Sequence, residues 1–251
     1  MADETFTRIS LSEVSSTNDY ALKLIRSGQP VPDTIINTVE QSAGRGLDKS
    51  QWESQPGMNL TISILIQPGK LNPSKQFLLN QITSLAVRDL LNSKIQHQKV
   101  SVKWPNDVYI DDKKAAGILI NNIISDDRIL WSVIGIGVNI NQEKFLSDSL
   151  NPISLKMLTG KEYDLSVCLE ELENSFSKWY HHLKSLQEKI IHNHYIHSLY
   201  RYGHYASYLY QGKNIIARIT GLGDYGCLEL EKNDGVKISC DLKELVFLQG
   251  D

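Results

Sequence analysis

Between Val100 and Ile140 the chain reads as three extended segments in succession, Val100–Trp104, Lys113–Ile124 and Ile129–Ile140. Asp111 and Asp112 supply turn residues between the first two. Strands packed this densely demand a sheet, and the flanking helical patterns offer its cover. Ser15-Ser16-Thr17-Asn18 reads as a helix start, because side-chain oxygens there can cap free backbone N–H groups. Ala21, Leu24 and Ile25 then share one face, and Gly28 stops the helix. Thr34–Val39 and Met58–Ile66 read as strands. From Pro73 to Lys94, Leu78, Ile82, Leu85, Ala86 and Leu90 recur at helical spacing, and Leu169, Leu172, Phe176, Tyr180 and Leu183 do so within a helix expected over Asp164–Tyr200. The pattern changes after Tyr202. From Gly212 to Leu248, three or four short strands alternate with Gly turns and with Asn233-Asp234-Gly235, the signature of a small β-barrel. The expected architecture is α+β, with a mixed-sheet domain over residues 1–203 and a small all-β domain over 204–251.

Charge and composition exclude several classes. Twenty-six Lys+Arg against 29 Asp+Glu leave a net charge of −3, which argues against a basic nucleic-acid footprint. No apolar run approaches the ~18 residues that a membrane helix needs. The opening MADETFTRIS has neither the basic nor the apolar region of a secretory signal. Cys168, Cys227 and Cys240 form an odd set with no CxxC pair, so a disulfide scaffold and a zinc ribbon are not expected. A reducing cytoplasm fits best. Six of the seven histidines lie between His181 and His204, at spacings that suit a solvated helix face better than a zinc site. No metal-binding residue is assigned.

Four segments of the first 140 residues can carry chemistry. In VKWPNDVYI, Pro105 has no N–H to donate and holds Trp104 extended, so Asn106 and Asp107 project from a strand end. An Asn-Asp β-turn is the plainer reading of that tripeptide. In the loop Gln41–Trp52, Gly44 and Gly46 flank Arg45, which lets backbone and guanidinium approach an anion together, with Lys49 as a second cation. A surface loop explains the same glycines, and Trp52 suits either a core anchor or a stacking platform. Lys113-Lys114-Ala115-Ala116-Gly117 places a cation at the mouth of an apolar slot, or is a solvated hairpin turn. In IGIGVNIN, Gly135 and Gly137 mark a bulge or a ligand pressed on the backbone. As a dinucleotide fingerprint the segment fails, lacking the third glycine and the following helix.

The order SSTN, QSAGRG…W, GMNL, KWPND, KKAAGILI, GIGVNIN resembles the biotin–protein ligases, over roughly residues 14–141 and more loosely through LYRYG and the small β-domain. KWPND is the most specific piece, since the related lipoate ligases share the fold but not that string. The resemblance implies a biotin/lipoate-ligase catalytic domain with an SH3-like C-terminal domain. It also implies a two-step reaction: biotin and ATP, with Mg²⁺, give biotinyl-5′-AMP, which acylates a lysine of a biotin carboxyl carrier domain. By the same resemblance Lys114 bridges the biotin carboxyl and the α-phosphate, and Arg45, Lys103 and Lys49 steady the phosphates. Asp107 is the base for the acceptor lysine. Ser16, Thr17 and Gln41 hydrogen-bond the ureido ring, while Gly44, Gly46 and Gly117 line the slot. Trp52 stacks on adenine, and Asn106 and Asn139 lie where its edges are read. The metal is held largely by phosphate oxygens.

Two departures stand out. Where the family loop commonly carries polar residues after GRG, this chain has Leu47-Asp48-Lys49-Ser50, which suggests looser retention of biotinyl-AMP. Ala115 replaces the usual leucine before Ala-Gly-Ile-Leu. The first motif arrives at Ser16, so neither a preceding DNA-binding domain nor specific DNA binding is expected. A lipoate ligase and a catalytically impaired biotin or nucleotide sensor are the alternatives. An edge strand such as Ile129–Val138 would serve either a carrier or a second copy in a homodimer.

Overall fold

The larger sheet draws seven strands from the first 140 residues: β1 (Thr7–Val14), β2 (Thr34–Gln41), β3 (Leu60–Ile66), β4 (Val100–Lys103), β5 (Asp107–Ile110), β6 (Lys113–Ser125) and β7 (Arg128–Val138). In this computed structural model, which describes residues 6–47, 50–146, 151–242 and 244–248, their spatial order is β1-β2-β3-β7-β6-β5-β4. β1 and β2 run parallel and every other neighbouring pair antiparallel, so the sheet is mixed. β7 lies between β3 and β6, bonded on both sides. It is therefore not the free edge expected of Ile129–Val138: its Ile134, Ile136 and Val138 pack into the core, while Gly135 and Gly137 fall on the opposite face.

One face of this sheet carries the main core. Ile62, Ile64 and Ile66 of β3 and Ile134, Ile136 and Val138 of β7 are buried there with helices α2 (Phe77–Lys94) and α4 (Leu165–Lys184). Each such side chain, fully removed from water, contributes about 1.5–3 kcal/mol. The opposite face is only half covered. Helix α1 (Thr17–Arg26) packs Ala21 against Ile36, Leu65 and Val133, while Thr61 and Gly137 line a cavity. That uncovered half is where the cavity forms.

Three strands and two helices go beyond the sequence expectation. β1, β5 and the strand Tyr205–Tyr210 were not anticipated, and the segment Asp164–Tyr200 divides into α4 and α5 (Glu188–Ser198). The break falls at Leu186, whose φ of 55° leaves the helical region. A short helix α3 (Leu155–Thr159) precedes them. The C-terminal sheet is antiparallel, built of β8 (Tyr205–Tyr210), β9 (Lys213–Leu222), β10 (Leu228–Lys232), β11 (Lys237–Cys240) and β12 (Leu245–Phe247) in the order β11-β10-β9-β8-β12. Among the described residues no pairing closes it into a barrel. Among them, too, no helix is long and apolar enough to cross a membrane, and Cys168, Cys227 and Cys240 are free thiols.

Candidate functional site

Strand register builds the floor of the site. Thr61 faces Gly137, Gly137 faces Gly117, and Gly117 faces Asp107, one row across β3, β7, β6 and β5. The next row runs Ser63, Gly135, Leu119. Two glycines side by side remove the side chains that would otherwise fill this face, and a cavity of about 750 Å³ stands above them. Its walls are the N-terminal end of α1, residues from 41–47 and 50–52, and the start of β5.

At the α1 end, Ser16 caps the helix by accepting the Asp19 N–H at 3.3 Å. The Thr17 N–H donates to Gln41 Oε1 at 2.9 Å, and the Thr17 hydroxyl lies 3.3 Å from the same oxygen. Behind them, Asn18 Nδ2 donates to the Leu119 carbonyl and to Asn121 Oδ1, both at 3.1 Å. The Ser63 hydroxyl lies 2.7 Å from Thr17 Oγ1 and 2.5 Å from Asn18 Oδ1. Ser16, Thr17, Asn18 and Ser63 are all buried.

At the other end, Lys114 Nζ meets Asp107 Oδ1 at 2.7 Å, with 27% and 21% of the two side chains exposed. Asn106 is pinned beside them, its Nδ2 donating to the Ile118 carbonyl at 2.6 Å. Trp52 lies against the glycine row, where a Cβ at Gly117 would stand 3.2 Å from its ring and one at Gly137 would overlap it. Lys114 Nζ stands 6.0 Å from the indole centroid, and the buried Trp52 Nε1 has no hydrogen-bond partner. The loop that carries Trp52 folds on itself: Gly46 N–H donates to the Ser50 carbonyl and Trp52 N–H to the Gly44 carbonyl. Arg45, 64% exposed, pairs with Asp19 at 2.9 Å.

Ser16, Thr17, Gln41, Gly44, Arg45, Gly46, Trp52, Asn106, Asp107, Lys114 and Gly117 thus line one cavity. Two expected residues stand apart. Lys103 shares the row with Asp107, but its ammonium turns to the Tyr109 hydroxyl at 3.0 Å and to the Phe247 ring at 5.3 Å. Burial lowers its pKa below the ordinary lysine value; Asp107 opposes that shift while Lys114 and Arg201 add to it. Asn139 donates to the Ile153 and Lys114 carbonyls, at 3.2 and 3.4 Å, and so ties strand ends together outside the cavity lining. Lys49 lies outside the described residues. Asn18, Thr61 and Asn121 line the cavity without having been singled out as site residues, and Gly135 and Gly137 line it where the sequence reads either a bulge or a ligand against the backbone. Among the described residues no group of three His, Cys, Asp or Glu is placed to hold a metal.

A family model for the "Biotin/lipoate A/B protein ligase family" matches residues 11–139. The chain is 32% identical over 171 residues to the bifunctional ligase/repressor BirA of Bacillus spizizenii, covering 66% of this chain and 51% of that protein. It is 30% identical over 178 residues to the biotin–[acetyl-CoA-carboxylase] ligase of Paracoccus denitrificans, covering 67% and 71%. The chain therefore spans between about half and about 70% of these relatives. Among solved structures, the biotin protein ligase from Aquifex aeolicus in complex with biotin and ATP superposes with a TM-score of 0.78 at 25% identity, over 97% of this chain and 99% of that one.

Proposed function

The chain belongs to the biotin/lipoate A/B protein ligase family, and from that membership we propose that it is a biotin–protein ligase, which joins biotin to a lysine of a biotin carboxyl carrier domain through biotinyl-5′-AMP. The observation that carries this reading is that one cavity holds both the polar Thr17–Gln41 end and, across the glycine row, the Lys114–Asp107 pair.

In the first step a biotin carboxylate oxygen bonds to the α-phosphorus of ATP and the bond to pyrophosphate breaks. Two anions must meet, so a cation between them lowers the barrier. Lys114 takes that place, exchanging Asp107 for the substrate oxygens. Arg45 adds a second cation; its exposed pairing with Asp19 is worth little in water and is readily given up. Trp52 on the glycine row supplies a face for the adenine, with Asn106 beside it. In the second step the carrier's lysine amine bonds to the acyl carbon and AMP departs. That amine has a reference pKa of ~10.4, so freeing it of its proton at pH 7 costs about 4–5 kcal/mol. Asp107, released by Lys114, receives the proton. Ser16, Thr17 and Gln41 hold the ureido ring, and Gly44, Gly46 and Gly117 keep the slot open.

Mg²⁺ would enter with ATP, held by oxygens of its phosphates, and would offset their charge; the described residues offer no cluster that would hold the ion by itself. The catalytic domain is assigned to residues 1–203 and the SH3-like domain to 204–251, a division supported by the second sheet starting at Tyr205. Three free thiols support a cytoplasmic setting. Exchange of labelled pyrophosphate into ATP tests the first step. It is expected with biotin and not with lipoate; exchange with lipoate alone would move the chain to the sister activity, and exchange with neither would leave it a sensor.

A further inference from the structure

We propose that Asn18 and Ser63 are positioning residues that turn the Thr17 hydroxyl into a hydrogen-bond acceptor for a ring N–H of the ligand. The inference rests on the biotin reading and adds to it the residues that set the polarity of the recognition end.

The Asn18 amide has one orientation. The Leu119 carbonyl, 3.1 Å away, can only accept, so the NH₂ group must face it. Asn18 Oδ1 is thereby turned toward Ser63, at 2.5 Å. Ser63 is 0% exposed and owns a single hydroxyl hydrogen. Because the amide oxygen cannot donate, that hydrogen belongs to the Ser63–Asn18 bond. The 2.7 Å contact between the Ser63 and Thr17 hydroxyls must then use the hydrogen of Thr17. Its other acceptor, Gln41 Oε1, is farther away at 3.3 Å and already receives the Thr17 N–H. Toward the cavity Thr17 Oγ1 is left with lone pairs alone.

Gln41 completes the pattern. Its oxygen faces Thr17, so its NH₂ group faces the opposite way, toward Gly44, where a Cβ would stand 2.6 Å from Nε2. The end of the cavity offers an acceptor beside a donor, the complement of an N–H beside a C=O. Gly135 makes the arrangement possible, since a Cβ there would come 2.5 Å from Asn18 Oδ1.

The test is calorimetric titration of the full chain with biotin and with a cyclic carbamate analogue, in which an oxygen replaces the ring N–H that faces Thr17. The wild-type chain should prefer biotin by about 10²-fold or more, because the analogue sets lone pairs against lone pairs. In Ser63→Ala the Thr17 hydrogen is free to turn toward the ligand. Biotin should then weaken about tenfold while the preference shrinks by a similar factor. Gly135→Ala, which displaces Asn18 and leaves Ser63 and Thr17 in place, should shrink it too. A merely structural loss would weaken both ligands alike, so an unchanged preference in both variants overturns the relay while leaving the biotin reading intact. A wild-type chain that binds neither ligand overturns both.

Discussion

Lys114 and Asp107 meet at 2.7 Å at the rim of the cavity rather than in its depths, each with about a quarter of its side chain exposed. A pair so placed can be exchanged without the heavy penalty of stranding a fully buried charge, which is what the two proposed steps require of it. The variants should separate the steps. Lys114→Ala should abolish pyrophosphate release, whereas Asp107→Ala should still form biotinyl-AMP but transfer it ~10²–10⁴-fold more slowly. Quantifying adenylate and modified carrier in one time course distinguishes the two; equal loss of both steps in Asp107→Ala would remove its role as base. At this scale the sequence singled out Lys114, Asp107 and Arg45, which the fold brings to one cavity. It did not separate them from Lys103 and Asn139, which lie outside that lining. A strand position assigns a face, but the long stem of Lys103 lets its ammonium leave that face for Tyr109 and Phe247. Asn18 and Ser63 escaped notice for the opposite reason. Their partners lie 45 to 103 residues away in sequence, and only the sheet register brings them together.

Among the elements, the loop Gln41–Trp52 shapes the cavity most directly. Leu47 lines the mouth with 39% of its surface exposed, and an apolar side chain there cannot hydrogen-bond an adenylate. Biotinyl-AMP should therefore leave this chain faster than it leaves a relative with polar residues after the GRG; the rate at which pre-formed adenylate escapes a spin column or a chase measures it. A slower escape would show that apolar packing closes the loop as well as hydrogen bonds would. Strong periodicity made α1, α2, β3, β6 and β7 readable. β1 was not, because its residues are largely exposed and its pattern is short of apolar positions. β5 is four residues long and begins inside the motif that reads as a turn. The break between α4 and α5 has no Gly or Pro to announce it: Leu186 takes φ 55° because the chain must reverse there.

Across the whole molecule, one buried apolar cluster runs through both sheets, and specific polar contacts tie them at its edge. The Trp104 indole N–H donates to the Gly226 carbonyl at 2.9 Å, and Arg201 reaches the Leu248 carbonyl at 3.0 Å. A Cβ on Gly226 would strike the Phe77 ring, so the joint is close-packed. Buried acids make this body sensitive to alkali. Burial, with Glu244 and Cys227 adding, pushes the Cys240 thiol from its ordinary 9.0 up to about 12, and burial raises Tyr109 and Tyr195 as well. A raised folded-state pKa stabilises the fold below the unfolded value and is lost as pH rises above it. The free energy of unfolding should therefore fall once pH passes about 9, and Cys240→Ala should flatten the first part of that fall in denaturant titrations. A slope the same in both proteins would assign the loss elsewhere. The two-sheet organisation was legible from the change of pattern after Tyr202, whereas the order of strands in the larger sheet was not, since β7 forms next to β3 by a pairing that spans some 70 residues. The account as a whole stands on group transfer. The measurement that tests it most directly is the intact mass of a biotin carboxyl carrier domain incubated with this chain, biotin, ATP and Mg²⁺. The account predicts one added biotinyl group on a single lysine, dependent on ATP; a carrier left unmodified while the chain binds both biotin and ATP would contradict it.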